Sequence, residues 1–321
     1  MLYINYPSWL KPEIVPFLPI RWYGLMYIVA FGVAYFLTVR SLNREQNPLL
    51  NKRQTEDLFL SGIIGLLVGA RLFYVFVYNF GEYMANPLAI IWPFSNGRFV
   101  GIQGLSFHGG VIGAAIGVAV YCYRHKIRIL AAYDLVCRAI PFGYTFGRIG
   151  NFINAELYGK VSAGWFAMLF PHAEPVMAYH PWAQAIAAKT GIDISGKIAV
   201  NLPRYPSQLY EAFFEGLVLG LFLWFVIAPR KKFNGAVTAW FLMGYGLVRF
   251  FIEYMREPDS QLGFIIRLGK GGDTPEIFTS FLNFSMGQLL CLLMVAAGAA
   301  LYFIARGQAF KKNGVQQGRK N

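Results

Sequence analysis

Seven apolar stretches, each close to the length that crosses a bilayer as a helix, constrain this 321-residue chain more than any other feature. They run over 22–39, 58–78, 107–123, 129–146, 209–228, 236–254 and 286–304. A spanning helix needs about 20 mostly apolar residues. In hydrocarbon, backbone polar groups must be satisfied within the segment itself, so helices are expected. The expected fold class is all-α and polytopic: seven transmembrane helices in one membrane-embedded domain over 1–321. Hydrophobic residues make up 56% of the chain and charged ones 14%, against roughly 25% charged in soluble domains.

The formal charge of +13 does not point to nucleic acid, because the basic residues form no stripe interleaved with aromatics. They fall in short clusters between apolar runs: Arg40, Arg44, Lys52 and Arg53 after the first; Arg124, Lys126 and Arg128 after the third; Arg230, Lys231 and Lys232 after the fifth; Arg306, Lys311, Lys312, Arg319 and Lys320 after the seventh. The positive-inside rule then puts the N-terminus outside and the C-terminus in the cytoplasm. Lys160 to Tyr205 falls outside and is too long for a simple loop, so a small external head is expected there. The stretch from Asn79 to Ser106, with Tyr83, Trp92, Phe94 and Phe99, suits the outer membrane interface. No signal peptide is expected, since Met1 to Ile20 carries Pro, Trp and Glu13 where a basic region should stand. Cys122, Cys137 and Cys291 each fall alone in apolar runs and read as core filling. No metal site or cofactor is expected.

Polar residues in such surroundings mark function. The densest set is Gly147-Arg148-Ile149-Gly150-Asn151-Phe152-Ile153-Asn154-Ala155-Glu156-Leu157-Tyr158-Gly159. Continued as a helix, it places Arg148, Asn151, Ala155 and Gly159 on one face, flanked by Asn154 and Glu156, with Gly159 as the C-terminal stop. An arginine here binds phosphate in a forked geometry; alternatively, it pairs with Glu156 and serves packing alone. The sixth run repeats the theme, with Arg249 and Glu253 spaced i, i+4 and Arg256 beyond them. This reads either as a salt bridge or as the second half of an anion site. His108 opens the third run, beside a Gly109, Gly113, Gly117 packing face. Imidazole titrates near neutral pH, so His108 is a candidate base. Tyr23 opens the first run, and Gln208 and Glu211 open the fifth, where Glu211 and Glu215 share a face; Gln208 and Glu211 are expected to line the external cavity.

The pattern Gly-Arg-x-Gly-Asn-Phe-x-Asn-x-Glu-x-x-Gly over 147–159 resembles the signature of the prolipoprotein diacylglyceryl transferases at every fixed position. Further motifs carry the resemblance along most of the chain: Arg21 to Tyr27, Ser106 to Gly110, Phe166 to Pro171, Pro206 to Glu211, Tyr245 to Phe250 and Arg256 to Asp259. Ala173 to Leu202 has no counterpart in it, and Ala70 stands before Arg71 where the family has glycine. The resemblance implies a seven-helix body with a periplasmic head over 160–205. It also implies a bacterial inner-membrane enzyme with its site on the periplasmic side. The implied reaction moves the diacylglyceryl group of phosphatidylglycerol to the lipobox cysteine thiol of a preprolipoprotein, forming a thioether and releasing glycerol 1-phosphate. The partners implied are those two substrates and membrane lipid, with no nucleic acid. The family's functional residues carry over to Tyr23, His108, Arg148, Asn151, Glu156, Gly159, Arg249 and Glu253. In that scheme Arg148 and Arg249 meet the leaving phosphate, and Asn151 and Tyr23 orient the headgroup or ester oxygens. Glu156 and Glu253 hold the arginines, while Asn154, Gln208 and Glu211 contact substrate. His108 is the base by chemistry. The competing reading is a transporter or channel that passes an anionic solute along the same arginines. It lacks the paired broken halves expected of such folds.

Overall fold

The computed structural model describes residues 3–15, 21–44, 48–90, 94–95, 98–99, 104–257 and 263–318. Trp92, Pro258, Asp259, Arg319 and Lys320, and the side chains of Phe94, Phe99 and Lys312, lie outside the described residues. The chain is mostly helical and divides into two units, 37–135 and the combination of 1–36 with 136–321. Helices α1 (Trp22–Leu42) and α4 (Ile129–Cys137) run across the two divisions.

In the unit 37–135, α2 (Lys52–Phe73) packs on α3 (Phe107–Arg124). Asn51 starts α2 with a reciprocal cap: its Oδ1 accepts from Gln54 N at 2.8 Å, and Gln54 Oε1 accepts from Asn51 N at 3.0 Å. The helix continues to Tyr78 through a π-helical turn. Gly109, Gly113 and Gly117 do form the packing face. A Cβ on Gly65 or Gly113 would strike the other's carbonyl oxygen, so only glycine permits this approach of two backbones. Arg71, inside α2, donates to the carbonyls of Ile90 at 2.7 Å and Gly104 at 3.2 Å.

In the other unit, α5 (Ile140–Ile153) packs on α7 (Ser207–Arg230), and α8 (Ala236–Ile252) packs on α9 (Met286–Gly318). The apolar run 129–146 is two helices rather than one. α4 ends at Cys137 and α5 begins at Ile140, because Pro141 has no N–H and fits only the first turn of a helix. Among the described residues, four helices are by length and composition able to cross a membrane: Trp22–Leu42, Lys52–Tyr78, Ser207–Arg230 and Met286–Lys311. α3, α4, α5 and α8 are shorter or more polar apolar helices. The chain is thus a polytopic membrane protein.

Residues 155–206 form a compact insertion before α7. The N-terminal strand β1 (Ile4–Asn5) pairs in parallel with β2 (Met168–Leu169), and β3 (Val176–Met177) pairs antiparallel with β4 (Ala199–Val200). Between them, α6 (Pro181–Thr190) stops at Gly191, whose φ of 72° suits a left-handed cap. Ala183, Ala187, Val200, Leu202 and Val161 fill the core of this insertion. Tyr6 seals the end of α5: its hydroxyl donates to the carbonyls of Ile153 at 2.9 Å and Phe152 at 3.1 Å, the latter also accepting from Ala155 N at 2.9 Å. A hairpin of β5 (Phe264–Arg267) and β6 (Asn283–Ser285) leads into α9.

Candidate active site

Three helices of the larger unit converge on Glu211. It lies in a π-helical stretch of α7, Glu211–Val218, and is fully buried. π-Turns widen a helix locally and are frequent at functional sites. Glu211 Oε2 lies 2.7 Å from Arg148 Nε on α5 and 3.0 Å from Arg249 Nη1 on α8. Its Oε1 lies 3.4 Å from Arg256 Nη1. Glu215, one turn on and 1% exposed, lies 3.5 Å from Arg249 Nη1. Glu253, at the end of α8, is 3.1 Å from Arg249 Nη2 and accepts from Ser285 Oγ at 3.1 Å. Three guanidiniums and three carboxylates thus share one buried network. Removing one partner of such a network costs about 3–5 kcal/mol, because a charge is left without compensation in a poorly solvated place.

Arg148 is held on its inner side. Its Nε also donates to Tyr144 Oη at 2.7 Å, and the guanidinium carbon sits 4.8 Å from the centre of that ring. Tyr144 Oη in turn donates to Glu215 Oε2 at 2.5 Å. Arg148 Nη1 donates to Asn151 Oδ1 at 3.2 Å, as their shared helix face requires. Among the described residues, Nη2 has no protein partner.

The expected pairing of Arg148 with Glu156 does not form. The helix ends at Ile153 instead of continuing to Gly159, and Ala155 and Leu157 both take left-handed backbone, with φ of 53° and 56°. Each costs about 1–2 kcal/mol in a residue with a Cβ. The turn they make swings Glu156 back over the last turn of α5. There Glu156 Oε1 accepts from Asn151 Nδ2 at 3.0 Å and Asn154 Nδ2 at 3.3 Å. The start of α7 fixes the turn from the other side, with Gln208 Nε2 donating to Glu156 O at 2.6 Å and Ser207 Oγ to Leu157 O at 3.0 Å. Gly159 is not a helix stop. It bridges antiparallel to Arg256, and its N–H donates to Tyr205 O at 2.8 Å. A Cβ there would strike Met255 O and come within 3.1 Å of Tyr205 Cβ.

Lys160 follows Gly159 and is 1% exposed, with Nζ 4.7 Å from the centre of the Phe264 ring. Burial lowers its pKa to about 8, although the carboxylates of Glu253 and Glu257 pull the other way. Burial raises the pKa of Glu257, opposed by Arg204 at 2.5 Å.

Tyr23, half-buried in the first turn of α1, shares a hydrogen bond of 3.0 Å with Tyr27 Oη. That turn packs on α5, since a Cβ on Gly150 would lie 3.6 Å from Tyr23 Cα. His108 belongs to the other unit. It is exposed in the first turn of α3, where Ser106 Oγ caps by accepting from Gly109 N at 3.4 Å, and it lines a shallow pocket with Tyr74, Tyr78 and Ser106. Sequence reasoning passed over Tyr144 altogether. It left Glu215 and Arg256 outside the site, although the four-residue spacing of Glu211 and Glu215 signals a shared face.

Residues 12–304 match the family model for prolipoprotein diacylglyceryl transferase. The chain is similar to the phosphatidylglycerol–prolipoprotein diacylglyceryl transferase of Treponema denticola, with 44% identity over 321 residues covering 95% of each chain. The protein of the same name from Treponema pallidum is 43% identical, covering 99% of this chain and 100% of its own length. That from Chlorobaculum tepidum is 41% identical, covering 94% and 92%.

Proposed function

Because the chain belongs to the prolipoprotein diacylglyceryl transferase family, we infer that the network around Glu211 is where its lipid substrate reacts. The protein transfers the diacylglyceryl group of phosphatidylglycerol to a prolipoprotein cysteine. The observation that carries the assignment of the site is the pair Arg148 and Arg249 converging on one carboxylate oxygen, with Nη2 of Arg148 left over for a ligand.

The chemistry asks for two things. The cysteine must lose its proton, since the thiolate is the nucleophile. The carbon–oxygen bond to phosphate must break, and the charge growing on the departing phosphate monoester needs cations that are already in place. In our reading the thiolate attacks the glyceryl carbon, a thioether forms, and glycerol 1-phosphate leaves against Arg148 and Arg249. Glu211, Glu253 and Tyr144 keep those guanidiniums oriented. Asn151 and Tyr23 orient headgroup or ester oxygens, and His108, at the start of α3, is the candidate base by its chemistry. Gly159 allows the close crossing that brings Arg256 beside Glu211. The prolipoprotein substrate is a precursor with a lipobox cysteine after its signal peptide.

We further propose seven membrane crossings, an outside N-terminus and a cytoplasmic C-terminus. Residues 160–205 would then form a periplasmic head in one enzyme domain, and the site would open toward the periplasm of a bacterial inner membrane. The alternating basic clusters support this orientation. The deciding experiment supplies purified protein with phosphatidylglycerol and a lipobox peptide. Thioether-linked peptide and glycerol phosphate in equal amounts are expected. An anion carrier would give neither, and would instead move phosphate-bearing solutes across vesicles.

A further inference from the structure

The loop that joins β5 to β6, residues 268–282, bonds its own backbone with amide and hydroxyl side chains and leaves three large apolar side chains outside. Asn283, with no solvent exposure, holds it from within. Its Oδ1 accepts from Gly269 N at 2.9 Å, and its Nδ2 donates to Lys270 O at 3.1 Å and Thr279 Oγ1 at 3.2 Å. Thr274 Oγ1 and Thr279 Oγ1 both donate to Gly271 O, at 2.9 Å and 3.3 Å, and Ser280 Oγ accepts from Leu282 N at 3.1 Å. The apolar side chains left outside are those of Leu268, Phe281 and Leu282, which are 75%, 65% and 54% exposed. They are neighbours, because Leu268 N donates to Leu282 O at 3.3 Å across the hairpin. Contiguous exposed apolar groups of this kind mark a surface that meets protein or membrane.

The chain itself favours lipid. β6 runs directly into α9, one of the helices able to cross a membrane, so the loop leaves that helix at its very end. Met286, Leu290 and Leu293 share a face in the first two turns of α9 and are exposed as well, so apolar exposure continues from the loop onto the spanning helix. The base of the loop is rigid: Tyr254 Oη donates to Phe281 O at 2.9 Å, and Ser285 Oγ to Glu253 Oε1 at 3.1 Å. Backbone satisfied internally is what a less polar medium demands. Arg267 and Asp273, paired at 2.9 Å, and Lys270 form an exposed polar edge that suits headgroup level. We propose that Leu268, Phe281 and Leu282 seat the loop in the membrane interface, as a lipid-binding element separate from the spanning helices. The seat is shallow, roughly 5–10 Å, because irregular backbone does not enter the hydrocarbon core. This goes beyond the transfer reading and stands without it.

The test places single cysteines at Leu268, Phe281, Asp273 and Lys189 in the full chain, with Cys122, Cys137 and Cys291 replaced by alanine. Each carries a nitroxide, and the protein is reconstituted into phosphatidylcholine vesicles, which contain no phosphatidylglycerol. Collision rates are measured with oxygen, which partitions into lipid, and with a water-soluble nickel chelate. The oxygen-to-chelate ratio at Leu268→Cys and Phe281→Cys should exceed that at Lys189→Cys by roughly tenfold, for labels seated at that depth. Asp273→Cys, on the polar edge, should resemble Lys189→Cys. Chelate-dominated collisions at both Leu268→Cys and Phe281→Cys would put the loop in water and overturn the proposal. Slow collisions with both reagents, relieved when the protein is diluted in lipid, would assign the patch to a second copy of the chain and overturn it equally.

Discussion

Arg148 and Arg249 share one oxygen atom of Glu211, at 2.7 Å and 3.0 Å. Two guanidiniums would repel each other at this separation, and the common carboxylate holds them together. Glu211→Gln keeps the shape and removes that charge. Transfer should fall by two orders of magnitude or more, with a loss of about 3–5 kcal/mol in stability for an unpaired buried cation. Turnover and thermal unfolding in detergent measure the two effects. Wild-type turnover in the folded variant would show that the arginines need no common anchor.

Lysine in place of either arginine keeps the charge but gives up the forked hydrogen bonds. A charge-assisted hydrogen bond contributes about 1.5–3 kcal/mol, so Arg148→Lys or Arg249→Lys should slow transfer by roughly one to two orders of magnitude. Alanine should cost more. Folded lysine and alanine variants that both turn over at the wild-type rate would assign the arginines to packing alone.

His108→Gln tests the base. A positioned general base contributes about 10²–10⁴-fold. The loss should narrow as pH rises, because more of the peptide thiol is then already ionised. A rate near wild type at neutral pH would show that another group or solvent takes the proton.

Lys160 has a pH signature of its own. Its folded pKa of about 8 lies below the ordinary value of 10.5. Between those values the unfolded chain holds a proton that the folded one has lost, so stability rises with pH across that window. Below it, the buried ammonium carries its whole penalty, on the order of 3 kcal/mol at most. Lys160→Met should therefore be more stable than wild type near neutral pH, and the advantage should fade toward about pH 10. Thermal unfolding at both pH values checks this, and a variant less stable at neutral pH would show that the Phe264 contact outweighs the burial cost.

Orientation is tested by single cysteines at Lys189 and Lys231, with the native cysteines replaced. A membrane-impermeant thiol reagent added to intact cells should label only the former. Labelling of Lys231→Cys alone would invert the proposed topology and the side on which the site opens.

The apolar runs, the basic clusters and the motif from Gly147 to Gly159 were legible in order along the chain, because helix length, interface charge and local spacing are properties of neighbouring residues. So were the contacts a helix face dictates, Arg148 with Asn151 and Arg249 with Glu253. The break before Pro141 was missed, because the run 129–146 has the length of a single span, although a proline with no N–H fits only the first turn of a helix. Tertiary structure alone decided which carboxylate Arg148 takes. Glu156 is nearer in sequence, but the left-handed Ala155 and Leu157 turn it back onto Asn151. Glu211, 63 positions away, reaches the guanidinium because α5 and α7 pack face to face. Charges pair across whichever helix surfaces are buried together, and that burial depends on side chains spread over the whole chain.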